Sequence, residues 1–169
     1  KTAPPVIDLS ERLVGIAPDG LTKAVFQNSG SEAIDTAIKL VWYYPNAIDK
    51  PEKKKIIARV NAYHGTGIAS ASLTGLDRMH KAFDLPVTNR VLRTDCPHYY
   101  RFGEDGETEE DFATRCADNL EKLILDEGPD TVAAFFAEPA AAGGDGGAEA
   151  GAGSSSAELE ALCYPLRDQ

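Results

Sequence analysis

Apolar and polar positions follow two rhythms along the chain, one near the helical repeat and one typical of buried strands. Leu9, Leu13 and Ile16 recur at helical spacing behind Asp8, a suitable N-cap, with Ile7 placed as a staple residue. Pro18-Asp19-Gly20 ends that helix, and Lys23 to Gln27 is a short β-prone stretch. A strongly periodic helix follows, with Ala33, Ala37, Leu40, Val41 and Tyr44 on one face and Pro45 as its stop. Lys55 to Val60 predicts a strand around Ile56-Ile57-Ala58, Leu76 to Phe83 a helix, and Val91-Leu92 a second short strand. Cys96 to Glu107 reads as an irregular loop. Thr108-x-x-Asp111 approximates a capping box, and Phe112, Cys116, Leu120, Leu123 and Ile124 form the apolar stripe of the helix it opens. Gly128-Pro129 breaks that helix, and Thr131 to Ala137 is the most strand-like run.

Strands alternating with helices of this length predict parallel βαβ units, hence an α/β fold with a mostly parallel sheet flanked by helices. Residues 140–157 differ: they are almost entirely Ala, Gly and Ser, with Asp145 and Glu149 the only charges. Glu158 to Cys163 then resumes a helical pattern for barely two turns. The chain therefore divides into an α/β portion at 1–139, a low-complexity loop at 140–157, and a truncated helix and tail at 158–169.

Charge changes the picture of partners. The net charge is -10, from 27 acidic and 17 basic residues, which disfavours nucleic acid. The basic run Lys53-Lys54-Lys55 reads as a solvated turn before a strand. No apolar run is long enough to cross a bilayer, and Lys1 to Ser10 lacks a signal-peptide core. Without an initiating Met, the chain is expected to be a piece of something longer. Cys96, Cys116 and Cys163 are odd in number and not at metal spacing, as expected for reduced thiols in the cytoplasm.

Three segments could carry chemistry. Asn28-Ser29-Gly30-Ser31-Glu32-Ala33 lies between a short strand and a long helix, with Ser29 and Glu32 at capping-box spacing. A helix start offers unpaired N–H groups and the positive end of the macrodipole, which favour a phosphate. Gly30 lets the backbone approach an anion, and Ser31 adds a hydroxyl. From this motif alone, a capped helix without a ligand fits equally well. It is neither a Walker loop nor G-x-G-x-x-G. Second, Tyr63-His64-Gly65 at a strand end suits stacking on a flat heterocycle, although an ordinary turn has the same look. Third, Glu138-Pro139 puts a carboxylate at another strand end, where it could bond a ligand or only cap a loop. His80 reads as a partly exposed structural residue, Cys96-Pro97-His98 lacks zinc partners, and no nucleophile elbow occurs.

Together these segments resemble the class III aminotransferases, in particular the ω-aminotransferase-like enzymes. The match rests on Phe26 to Lys39, Ala62-Tyr63-His64-Gly65, Leu73-Thr74-Gly75-Leu76 and Ala133 to Pro139, and spans roughly Ile7 to Pro139. The resemblance implies part of the large domain of a fold type I enzyme, a homodimer with pyridoxal 5'-phosphate at the subunit interface. It implies that Gly30 and Ser31 bind the cofactor phosphate, that Tyr63 stacks on the pyridine ring with His64 beside it, and that Glu138 lies near the phenolic side. The family moves an amino group from an amine or ω-amino acid to a keto acid such as pyruvate. Its aspartate at the pyridine nitrogen and its Schiff-base lysine lie on segments beyond Cys163, so these 169 residues alone are expected to be inactive. The Ala/Gly/Ser tract departs from the family's loop, and Gly144 to Ser156 is expected to reflect a shifted reading frame. The competing expectation is a non-catalytic α/β module that binds a phosphorylated ligand or a partner subunit.

Overall fold

The computed structural model describes residues 3–85 and 88–138. The tract at 140–157, the pattern at 158–163, Cys163 and Pro139 lie outside the described residues. Helix α1, Pro4–Ile16, starts ahead of Asp8: Ala3 is its N-cap, and Pro4 and Pro5 fill the first turn. Proline is preorganised there, since its fixed φ suits the helix and its missing N–H would lack a partner anyway. Lys23 to Gln27 forms no strand. With no neighbouring strand to pair with, β propensity has nothing to act on.

Helix α2, Gly30–Ala47, runs two residues past Pro45. The ring is buried in the last turn, so the proline ends the helix later than expected. Its sheet-facing side is also not the expected one. Ile38 is buried with Ile34, Val41 and Trp42 packed around it, whereas Leu40 and Tyr44 are more than half exposed. The helix carries apolar residues on two faces, and periodicity alone does not choose between them.

Strand β1, Lys55–Arg59, leads through α3 (Ile68–Leu73) and α4 (Asp77–Lys81) to β2, Val91–Thr94. Helix α5, Tyr99–Phe102, forms a single turn within the expected loop, and α6, Glu109–Glu127, follows. Thr108 caps α6 in a full capping box with Asp111, and Gly128, at φ 87°, turns the chain into β3, Val132–Phe136. The small-residue run after Gly65 thus contains a helix, α3, that pattern did not indicate.

The three strands are parallel in the order β2-β1-β3. Ile57 sits opposite Leu92 on one side and Phe135 on the other. Ile56 and Ala58 point to one face, where they pack with Ile38 of α2 and Leu73 of α3. Ile57 points the opposite way and is fully buried as well. Lys54 and Lys55 are not a solvated turn. Lys54 Nζ donates to the Trp42 carbonyl at 2.6 Å while the Trp42 indole N–H donates to the Lys54 carbonyl at 3.0 Å, and Lys55 pairs with Glu127 at 2.7 Å. These contacts tie α2, β1 and α6 into one body. Among the described residues no helix is long and apolar enough to cross a membrane.

Candidate active site

Helix α2 begins at the site. The Ser29 hydroxyl accepts the Glu32 N–H at 3.2 Å, and the Glu32 carboxylate reaches back to the Asn28 N–H at 3.0 Å. This is the capping-box exchange, with the glutamate taking the amide one residue earlier than usual. The Gly30 and Ser31 amides find no acceptor among the described residues, and a Cβ at Gly30 would meet nothing within 4 Å. The start of an 18-residue helix is therefore open, with its first amides free. Ser31 Oγ accepts the Thr66 N–H at 3.0 Å, which joins the helix start to the loop after β1.

That loop is the Tyr63-His64-Gly65 turn. Gly65 has φ 137°, and a Cβ there would lie 2.7 Å from Ser31 Oγ and 2.8 Å from Ser70 Oγ. Only glycine fits so closely against α2 in that conformation. Tyr63 is 44% exposed, so its ring has a free face, and its N–H donates to Glu138 Oε1 at 3.2 Å. His64 is buried; its Nδ1 is 3.7 Å from the same carboxylate oxygen, and its ring meets Phe136 edge-on. Nε2 of His64 is buried without a hydrogen-bond partner among the described residues. Burial pushes the imidazole below its ordinary value, the Glu138 carboxylate opposes this, and Arg93 and Arg59 reinforce it. Glu138 is in turn fixed through its carbonyl, which accepts from Arg59 Nη1 at 2.7 Å. Gly30, Ser31, Tyr63, His64 and Glu138 thus come together from one helix start and two neighbouring strand ends.

A family profile described as aminotransferase class-III matches residues 2–165. The chain belongs to the class III aminotransferases. A probable gamma-aminobutyrate transaminase 2 of rice is 61% identical over 139 residues, covering 82% of this chain and 28% of the relative. A vanillin aminotransferase of Capsicum frutescens is 56% identical over 82% of the chain and 30% of its own length. Among solved structures, a transaminase with L-ala matches with a TM-score of 0.77 at 60% identity, over 82% of this chain and 32% of that one. An ω-transaminase from Pseudomonas jessenii in complex with PMP matches equally well at 55% identity, over 82% and 30%. The chain thus spans about a third of the length of the transaminases it matches. Its parallel sheet is part of the fold type I domain those structures share.

Class III aminotransferases use pyridoxal 5'-phosphate. The residues here fit that group: free helix-start amides and a hydroxyl for a dianion, an exposed aromatic face, and a buried imidazole nitrogen left unpartnered. The residues that brace this cluster were not singled out in the sequence. Asp35 of α2 accepts the Ser70 N–H at 2.7 Å, and Thr74 Oγ1 accepts the His64 N–H at 3.0 Å. The only sequence signal for Thr74 was its place in Leu73-Thr74-Gly75-Leu76. Cys96 and Cys116 are free, and burial pushes both thiols up.

Proposed function

We propose that the protein is a pyridoxal-phosphate-dependent aminotransferase that passes an amino group from an amine or ω-amino acid to a keto acid such as pyruvate. The observation that carries this is the meeting of an open helix start at Gly30–Ser31 with an exposed Tyr63, whose backbone N–H donates to the Glu138 carboxylate. When bound, the cofactor supplies an electron sink at the carbon bearing the amine. The protein's part is to bind and orient. The Gly30 and Ser31 amides, the Ser31 hydroxyl and the positive end of α2 hold the phosphate. Tyr63 offers its ring to the heterocycle. His64, whose pKa burial lowers, sits beside this turn with its Nδ1 3.7 Å from Glu138, and Glu138 keeps the Tyr63 backbone in place. Such contacts orient the reacting group before chemistry begins.

The whole enzyme works as a homodimer, and its aspartate for the pyridine nitrogen and its lysine for the cofactor aldehyde come from residues outside these 169. The segment expressed alone carries out no transamination. The odd cysteine count, with Cys96 and Cys116 unpaired, favours a reducing compartment such as the cytoplasm. Residues 144–156 derive from a shifted reading frame, and resequencing the coding DNA tests this directly: the same tract in an uninterrupted frame refutes it.

The central test is an absorbance titration with pyridoxal 5'-phosphate, run on the parent, Gly30→Ala and Tyr63→Ala. Saturable binding that both substitutions weaken supports the reading. Binding unaltered by either would remove its basis. Turnover with an amine donor and pyruvate by the isolated 169-residue segment would overturn the claim that it is inactive.

A further inference from the structure

We infer that Thr74, braced by Arg93, is a positioning residue that sets the Tyr63–His64 turn in the orientation the cofactor ring requires. The inference rests on the aminotransferase reading above and concerns side chains that touch no cofactor.

Thr74 follows α3 directly and is fully buried. Its hydroxyl does two things at once: it donates to the Ser70 carbonyl at 3.3 Å and accepts the His64 N–H at 3.0 Å. The next residue continues the pairing. Gly75 donates its N–H to the Ala62 carbonyl at 2.8 Å and accepts the Asn61 N–H at 2.9 Å. A Cβ at Gly75 would collide with the Arg59 carbonyl and sit 2.9 Å from Val60 Cα, so the approach of these segments requires glycine. Residues 61, 62 and 64 are therefore all bonded to Thr74 and Gly75, and Tyr63 to Glu138. The backbone under the exposed ring is pinned on both sides while the ring itself is left free.

The support for Thr74 comes from further away. Arg93 of β2 donates to the carbonyls of Leu73, Ser72 (2.8 Å) and Thr74 (2.9 Å), closing the C-terminal end of α3. At the other end, the Asp35 carboxylate takes the Ser70 N–H. A six-residue helix is not stable by itself, so these two charged side chains fix where it lies. Three carbonyls in a fan suit the rigid guanidinium fork; a lysine would reach them only one or two at a time. Asp35 also lies one helical turn from Ser31, so α3 links the phosphate end of the site to the ring end.

The test uses the full chain as the cell makes it, with pyridoxal 5'-phosphate as the probe. Thr74→Val keeps the shape but leaves the buried His64 N–H unpaired. It should weaken cofactor binding about tenfold and alter the induced circular dichroism per bound cofactor at saturation, a signal that a smaller folded or bound fraction would not change. Thr74→Ser, which restores the acceptor, should return both to parental values. Parental affinity and dichroism in Thr74→Val, or failure of Thr74→Ser to rescue them, overturns the inference while Tyr63→Ala still weakens binding. If Tyr63→Ala binds like the parent, the aminotransferase reading fails first and this inference with it. Should Thr74→Val not fold, Arg93→Lys carries the comparison: weaker binding with altered dichroism supports the inference, and parental values overturn it.

Discussion

Replacing Gly65 with alanine perturbs the site at its tightest point. The residue adopts φ 137°, a conformation that side chains rarely tolerate, and holding alanine there costs roughly 1–3 kcal/mol. The added methyl would stand 2.7 Å from Ser31 Oγ, 2.8 Å from Ser70 Oγ and 3.0 Å from Ser31 Cα. The two hydroxyls can rotate away, but the Ser31 backbone belongs to the first turn of α2 and cannot do so cheaply. Overpacking of this kind adds about 1–3 kcal/mol. The combined destabilisation is therefore about 2–6 kcal/mol, read as a fall in denaturant midpoint at constant slope. Binding should suffer separately, because the clash moves the hydroxyl and amide proposed to hold the phosphate. Loss of one hydrogen bond to a charged group is worth about 1.5–3 kcal/mol, so affinity for pyridoxal 5'-phosphate should fall roughly 10- to 100-fold. A Gly65→Ala protein with the parental midpoint and parental affinity would refute the whole geometric account of this turn.

Gly30→Ala is the contrasting case. A Cβ there meets open space, so stability should hold or rise by up to about 1 kcal/mol in chemical denaturation. Cofactor binding should nonetheless weaken, because the methyl occupies the approach to the free amides; unchanged affinity would count against the phosphate site. Thr108→Ala removes a full capping box from α6 and should cost about 1 kcal/mol, within a range of roughly 0.5–2. No measurable loss in thermal or chemical unfolding would contradict the capping argument. His64 is a base whose folded pKa is depressed, chiefly by burial. Below the ordinary histidine value of 6.5 the unfolded chain takes up a proton that the folded chain resists. Its contribution is thus present above that value and lost as pH falls from there toward the folded pKa. His64→Gln should flatten stability against pH in that window, and equal slopes for variant and parent would contradict this.

The elements legible in the sequence were those whose signals are local. The capping box at Thr108 and Asp111, with the stripe from Phe112 to Ile124, specifies α6 without reference to any other part of the chain. The same holds for Ser29 and Glu32 at the start of α2. What the pattern missed depends on partners distant in sequence. Lys23 to Gln27 has strand-like residues but pairs with no strand among the described residues. Helix α3 is built from Ile68-Ala69-Ser70-Ala71-Ser72-Leu73, a string with little periodicity that is held by Asp35 and Arg93 from two other elements. Lys54 and Lys55 read as solvent-facing charges, yet one reaches across to Trp42 and the other to Glu127, 72 residues away. The candidate site followed the same division: the side chains proposed to face a ligand lie in recognisable motifs, and the residues bracing them do not.

Topology explains why those motifs converge. From β1 the chain moves to β2 on one side, then passes back over β1 to reach β3 on the other. Two successive connections that leave in opposite directions open a crevice at the carboxyl ends of the strands between which the direction changes, here β1 and β3. Tyr63 and His64 follow β1, Glu138 follows β3, and the Tyr63 N–H to Glu138 bond spans that crevice. The start of α2 reaches the same place because Ile34, Ile38 and Val41 pack its axis against the sheet face below, leaving Gly30 and Ser31 at the rim. A three-stranded sheet with this order would offer a ligand crevice whatever its loops contained. The proposed fit of a phosphorylated aromatic rests instead on the free amides of Gly30 and Ser31 and the exposed Tyr63 ring that these loops bring to it.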